Sequence, residues 1–191
     1  MTNILYTIVD WLLGIHKRRS ATGKRLNIDM IPYGMHGKNV RAVLSSEQWR
    51  AVCTVTHKAN RYRCVECGRD RNQARLECHE SWQYVSSSTG TAMQISGLHT
   101  LCHECHMGKH IGLARKLGEY DKVKSHLMRV YGLSSLQFKW IEHKAIQRVK
   151  AHGGRVYLLD LQFLNQSQFR FLGRQFSSNE LGNCKNISGN E

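Results

Sequence analysis

The sequence predicts an α+β protein in which a zinc knuckle, a β-hairpin and a helix form the core, set in mostly helical flanks. Three observations carry this. Two C-x-x-C pairs, Cys64/Cys67 and Cys102/Cys105, are separated by thirty-four residues, a span that leaves room for a hairpin between two half-sites for one metal ion. Between them, "ARLECHESWQY" and "TAMQISGL" carry strand-forming residues on either side of the turn-rich "VSSSTG". From Cys102 onward, apolar residues recur at helical spacing through "HMGKHIGLARKLGEYDKVKSHLMRVYGL".

Residues 1–20 open with "NILYTIVDWLLGI", in which Ile4, Ile8, Trp11, Leu12 and Ile15 share one helical face. This is expected to be an amphipathic helix packed on another surface. Asp10 interrupts the apolar run and the basic "HKRR" follows it, an order and length that fit neither a signal peptide nor a membrane span.

Residues 21–60 complete the basic link "HKRRSATGKR". Turn signals at Pro32, Gly34 and Gly37 then imply a loop that brings Lys38 and Arg41 to a surface. Ser45 with Gln48 forms a capping-box pattern. It opens the helix "SEQWRAVCTVTHKAN", with Trp49, Val52, Cys53 and Thr56 inward.

Residues 61–118 are the core. In "CVECG" a tight turn brings two thiolates together, and Gly68 permits the left-handed residue that closes it. Residues 119–176 form a helical extension, with Gly118 as a divider before it and Gly153-Gly154 ending the helix "SLQFKWIEHKAIQRVKAH". "RVYLLDLQFL" reads as a buried strand or a short helix. Residues 177–191 are polar and rich in Gly, Ser and Asn, and are expected to be disordered. Trp49, Trp82 and Trp140 read as core, and His126, His143 and His152 have no partners in sequence.

The charge is one-sided: 28 Lys+Arg against 14 Asp+Glu, a formal +14. Such a surplus points to a polyanion, most simply nucleic acid. Lys58, Arg61, Arg63, Arg69, Arg71 and Arg75 cluster around the first knuckle, and Lys109, Arg115 and Lys116 lie on the helix after the second. They are expected to grip DNA phosphates irrespective of base sequence. Cys64, Cys67, Cys102 and Cys105 can supply four thiolates to a closed, structural zinc site, which suits a reducing cytoplasm. Cys53 reads as a small buried residue and Cys184 as a free thiol in the tail.

That leaves His79, Glu80, His103, His106 and His110. Positions four apart on a helix share a face, so His106 and His110 point together. The knuckle, the hairpin with "ECHE" and the helix with "LCHECHMGKH" together resemble an HNH endonuclease of the treble-clef, ββα-metal type, over roughly Cys64 to Leu117.

The resemblance implies one structural zinc and one catalytic divalent ion (Mg, Mn, Ni or Zn) held over a scissile phosphate of DNA. It makes His106 a ligand of that ion. His110 is a second candidate ligand, with helix capping or a phosphate contact as the alternative. In the family, the first residue of a hairpin dipeptide binds the ion and the second acts as base. Here Cys78-His79-Glu80 leaves two assignments. His79 is the base, favoured by an imidazole poised near pH 7, with Cys78 at the ligand position; or His79 binds the ion and Glu80 takes the proton.

The asparagine of the family falls where this chain has Gly97, with His99 two residues on as a candidate replacement. The expected function is therefore metal-dependent hydrolysis of DNA phosphodiesters, in a defence, mobile-element or toxin setting. The alternatives are an inactive zinc-stapled module that binds nucleic acid, or an adaptor that docks a protein partner through its N-terminal helix. A homodimer would let two sites address two strands.

Overall fold

Alternating strand-forming residues on either side of a Ser/Thr/Gly turn fold the centre of the chain into two long antiparallel strands. In the computed structural model, which describes residues 2–87 and 90–180, these are β1 (Leu76–Ser87) and β2 (Gly90–Cys102). The register pairs Leu76 with Cys102, His79 with His99 and Ser81 with Gly97, then slips so that Trp82 faces Ile95 and Ser96 is the extra residue. A short third strand, β3 (Leu158–Asp160), adds parallel to β2, and the sheet order β1-β2-β3 leaves β1 at one edge. "RVYLLDLQFL" thus supplies both of its readings, since a 3-10 turn over Gln162–Asn165 follows the strand.

The helices are α1 (Thr2–Leu12), α2 (Val40–Val43), α3 (Ser46–Ala59), α4 (His103–Lys109), α5 (Ile111–Lys116), α6 (Tyr120–Tyr131) and α7 (Ser135–His152). The capping box at Ser45 and Gln48 is formed in both directions, and Ser134 with Gln137 repeats it at α7; such a cap contributes about 0.5–2 kcal/mol. The helical run after Cys102 breaks at Gly118, whose φ of 73° only glycine adopts without strain, and also at His110. α7 ends at Gly153, again at positive φ.

Strand alternation gives the hairpin two faces. Cys78, Met93 and Ile95 pack with Val52 of α3 and with Leu159, Leu161 and Phe169 from beyond α7. A second cluster of Met107, Ile111, Val123, Leu127, Phe138 and Ile141 joins α4 to α7, and Ile28, just after the basic link, closes this core. Gly108 of α4 lets α6 come close: a Cβ there would meet Leu127 Cδ1 at 2.6 Å. Glu66 of the first knuckle is tied to both helices, pairing with Lys109 Nζ at 2.8 Å and accepting from the Tyr131 hydroxyl.

Two expectations are corrected. Ile4, Ile8, Trp11 and Leu12 do not pack inward; they are 50–70% exposed. α1 docks by its polar side instead, where Asp10 accepts from Trp140 Nε1 at 2.9 Å and from Lys144, and Tyr6 meets the Trp140 ring edge-on. The tail is also ordered further than its composition suggests. Glu180 is buried, accepting from the Ser177 amide and pairing with Arg174. Residues 181–191, with Cys184, lie outside the described residues. No helix among the described residues is long and apolar enough to cross a membrane.

Candidate metal centres

The first centre is built from the two knuckles. The turn at Cys64–Gly68 closes through the Gly68 amide on the Cys64 carbonyl, with Gly68 at φ 79°. Cys102 ends β2 and Cys105 lies in the first turn of α4. The four sulfurs lie within 4.8 Å of one another and could hold a metal ion; Sγ of Cys67 and Cys102 are 3.6 Å apart. Hydrogen bonds from Cys102, chiefly, push the Cys67 thiol down and the Cys64 thiol to about 7, toward the thiolate form that ligates.

Two residues whose role was not legible in the sequence complete this centre. Arg69 Nη2 donates to Cys102 Sγ at 3.0 Å and to Glu104 Oε2 at 2.6 Å. His126, buried on α6, places Nε2 3.3 Å from Cys105 Sγ. Four thiolates on one ion would carry excess negative charge, which the Arg69 guanidinium would offset, while His126 lies within hydrogen-bond reach of the Cys105 sulfur. Arg69 is therefore drawn inward, away from the phosphate-gripping role expected of it.

The second centre also draws on α4, through His106, the residue after Cys105. His79 from β1, His106 from α4 and His110 from the break after α4 each offer a ligand nitrogen, all within 4.8 Å of one another. Their ring centroids are 5.0–5.3 Å apart. Burial, with the neighbouring imidazoles, holds His110 neutral down to about 3, and burial likewise lowers His79. Neutral imidazole is the ligating form.

Two carboxylates support the cluster. Glu77, two residues before His79 and so on the same strand face, accepts from Nδ1 of His106 and lies 3.0 Å from Nδ1 of His103. Asp29, from the loop after the basic link, stands 3.6 Å from His79 Nε2, too far for a hydrogen bond. That nitrogen is 2% exposed as part of its side chain and has no hydrogen-bond partner. An orphaned buried nitrogen among three converging imidazoles fits a cation-binding site.

No protein-family model, curated protein or solved structure matches this chain.

The imidazoles open into a cleft of about 510 Å³ that wraps the edge of β1. Cys78 and Glu80 stand on the other side of the strand from His79. Cys78 is buried beside Cys53, whose hydrogen bond with it, together with burial, raises its thiol far above the usual range. It does not join the imidazoles. Glu80 reaches the cleft, and burial raises its carboxyl to about 7 against the opposing pull of the Val40 amide and Arg41. Lys38 and Arg41 line the same cleft, Lys38 from the loop and Arg41 from the short helix α2. At Gly97 a Cβ would meet the His99 ring at 3.0 Å, so the His99 ring occupies the space beside Gly97.

The remaining basic residues divide. Lys58, Arg61, Arg71, Arg75 and Lys116 are exposed. Arg63 lies 3.6 Å from Asp70. Arg115 pairs with Glu142 at 2.7 Å and stacks over Tyr120. Lys109 is only 8% exposed, held by Glu66 and by the Asn27 carbonyl, so it is structural and unavailable to a phosphate. Glu77 was within reach of sequence reasoning, since its spacing from His79 places both on one face. Asp29 was not, since nothing local in sequence joins it to a strand fifty residues away.

Proposed function

We propose that this chain is a metal-dependent HNH-type endonuclease that hydrolyses DNA phosphodiesters, with a knuckle–hairpin–helix core of the treble-clef, ββα-metal kind. The single observation that carries the reading is the convergence of His79, His106 and His110 at the edge of a cleft that also contains Glu80, Lys38 and Arg41. All three imidazoles gather, and Cys78 faces away; this favours His79 as a ligand and Glu80 as the base.

A divalent ion held there would act as a Lewis acid on the phosphate and the leaving 3′-oxygen. Glu80, poised near 7, would accept the proton of the attacking water at its carboxylate. Lys38 and Arg41 would hold the flanking phosphates, and Arg71, Arg75 and Lys58 would extend the grip in a salt-dependent way. Four thiolates gathered on one metal would suit a reducing, cytoplasmic setting.

The replacement of the family's asparagine by Gly97 favours a second reading, a zinc-stapled module that binds DNA without cutting it. Incubating supercoiled plasmid with the protein and Mg²⁺, Mn²⁺ or Ni²⁺, with EDTA as control, separates the two. Nicked or linear product that EDTA abolishes is expected. Intact plasmid with every metal, alongside a gel shift, leaves only the second reading.

A further inference from the structure

The basic link "HKRRSATGKR" is not absorbed by either metal centre, and the structure shows what it builds. Between α1, the link and α7 lies a second cavity of about 430 Å³. Four cationic side chains line it: Arg18 and Arg25 from the link, and Lys144 and Arg148 from α7. Asp10 is the acid in its wall, and that carboxylate is already paired with Lys144 at 2.6 Å. Arg148 is oriented by Asn27 Oδ1 at 3.2 Å and the Ile28 carbonyl at 3.3 Å.

Arg18 and Arg25 are exposed, and no ion pair or hydrogen bond engages their guanidinium groups among the described residues. His16 also lines the cavity and brings no negative charge to it.

We propose that this cavity binds a phosphate monoester carrying an apolar or flat body, the chemistry of a mononucleotide. Planar guanidinium forks recognise phosphate by paired, charge-assisted hydrogen bonds. Two such forks left unengaged, with a net surplus of positive charge and no unpaired acid, suit a dianion. The volume exceeds what inorganic phosphate fills and falls in the range of small-molecule pockets. Tyr6, Leu26 and Ile141 supply an apolar wall for the body of the ligand. The source is either a free nucleotide or the 5′-phosphorylated end of a strand, and the inference does not rest on the nuclease reading.

Isothermal titration of the full chain with AMP, without added divalent ion, tests it. Saturable binding is expected, and adenosine should not bind. Arg18→Ala and Arg25→Ala should each weaken AMP by about tenfold or more, while Arg50→Ala, an exposed residue of α3 that removes the same charge, should not. Both pocket arginines are exposed, so their variants should melt with the wild type.

Competition then identifies the source. A 5′-phosphorylated oligonucleotide that displaces AMP, where its 5′-hydroxyl twin does not, points to strand ends. AMP that neither strand displaces points to a free nucleotide. Absence of AMP binding, equal binding of adenosine, an equal loss in Arg50→Ala, or equal displacement by both strands would each overturn the proposal.

Discussion

The Glu77 carboxylate accepts a hydrogen bond from Nδ1 of His106, which leaves Nε2 as the one His106 nitrogen free to meet His79 and His110. A carboxylate behind an imidazole fixes the ring's tautomer and direction and raises its basicity. His106 and His103 in turn hold the Glu77 carboxyl down at about 2, so it stays ionised over the working pH range. Glu77→Ala is therefore expected to weaken Ni²⁺ or Co²⁺ binding at the imidazole cluster by about 10–100-fold. Calorimetric titration reads this, and an unchanged affinity would show that the carboxylate does not orient the ligand.

Glu80→Gln separates the base from the ligands. Cleavage should fall by about 10²–10⁴-fold while metal affinity is retained. Because burial raises this carboxyl to about 7, it is protonated, and idle as a base, below that pH. The wild-type rate should climb as pH rises toward 7 and level off above it. A pH–rate profile that is flat from 5.5 to 8.5, or one shared with Glu80→Gln, would remove Glu80 from the chemistry.

Cys105→Ser tests the sulfur cluster, which joins β2, α4 and the first knuckle. A structural zinc supplies about 10–16 kcal/mol of apparent binding energy to small domains. The variant is therefore expected to lose bound zinc and unfold at a much lower temperature, and chelator should do the same to the wild type. Metal analysis with thermal melts checks it; a wild type free of zinc and insensitive to chelator would refute a structural ion.

Gly108→Ala probes the scaffold without touching either centre's ligands. The added methyl group would press on Leu127 at 2.6 Å, and overpacking of this kind costs about 1–3 kcal/mol. Urea denaturation should show the loss with an unchanged slope. A neutral result would mean that α4 and α6 shift apart at no cost.

Much of the centre was legible because the chemistry is local. C-x-x-C turns, a hairpin between them, and His106 and His110 at helical spacing are short-range patterns. So are the capping box at Ser45 and the glycine that ends α7. The face of α1 was misjudged because periodicity reports amphipathicity, not which face is covered: Asp10 and Tyr6 dock, and the apolar stripe stays exposed.

The basic residues show the same limit. Arg69 and Lys109 look like phosphate contacts until the fold brings the thiols and Glu66 to them. Asp29 and His126 reach their centres only through long-range packing, for which sequence spacing carries no signal. The break at His110 falls between Gly108 and Gly112, both of which lie inside helices, so neither glycine marks the residue at which the helix ends.

The most direct test of the central claim is a Co²⁺ or Ni²⁺ titration of the zinc-loaded protein, comparing wild type with His106→Ala. The wild type is expected to take up one further ion with the spectral signature of imidazole ligation, and the variant to take up none at the same concentrations. Equal uptake by both, or none by either, would contradict a histidine-held second ion and with it the hydrolytic reading.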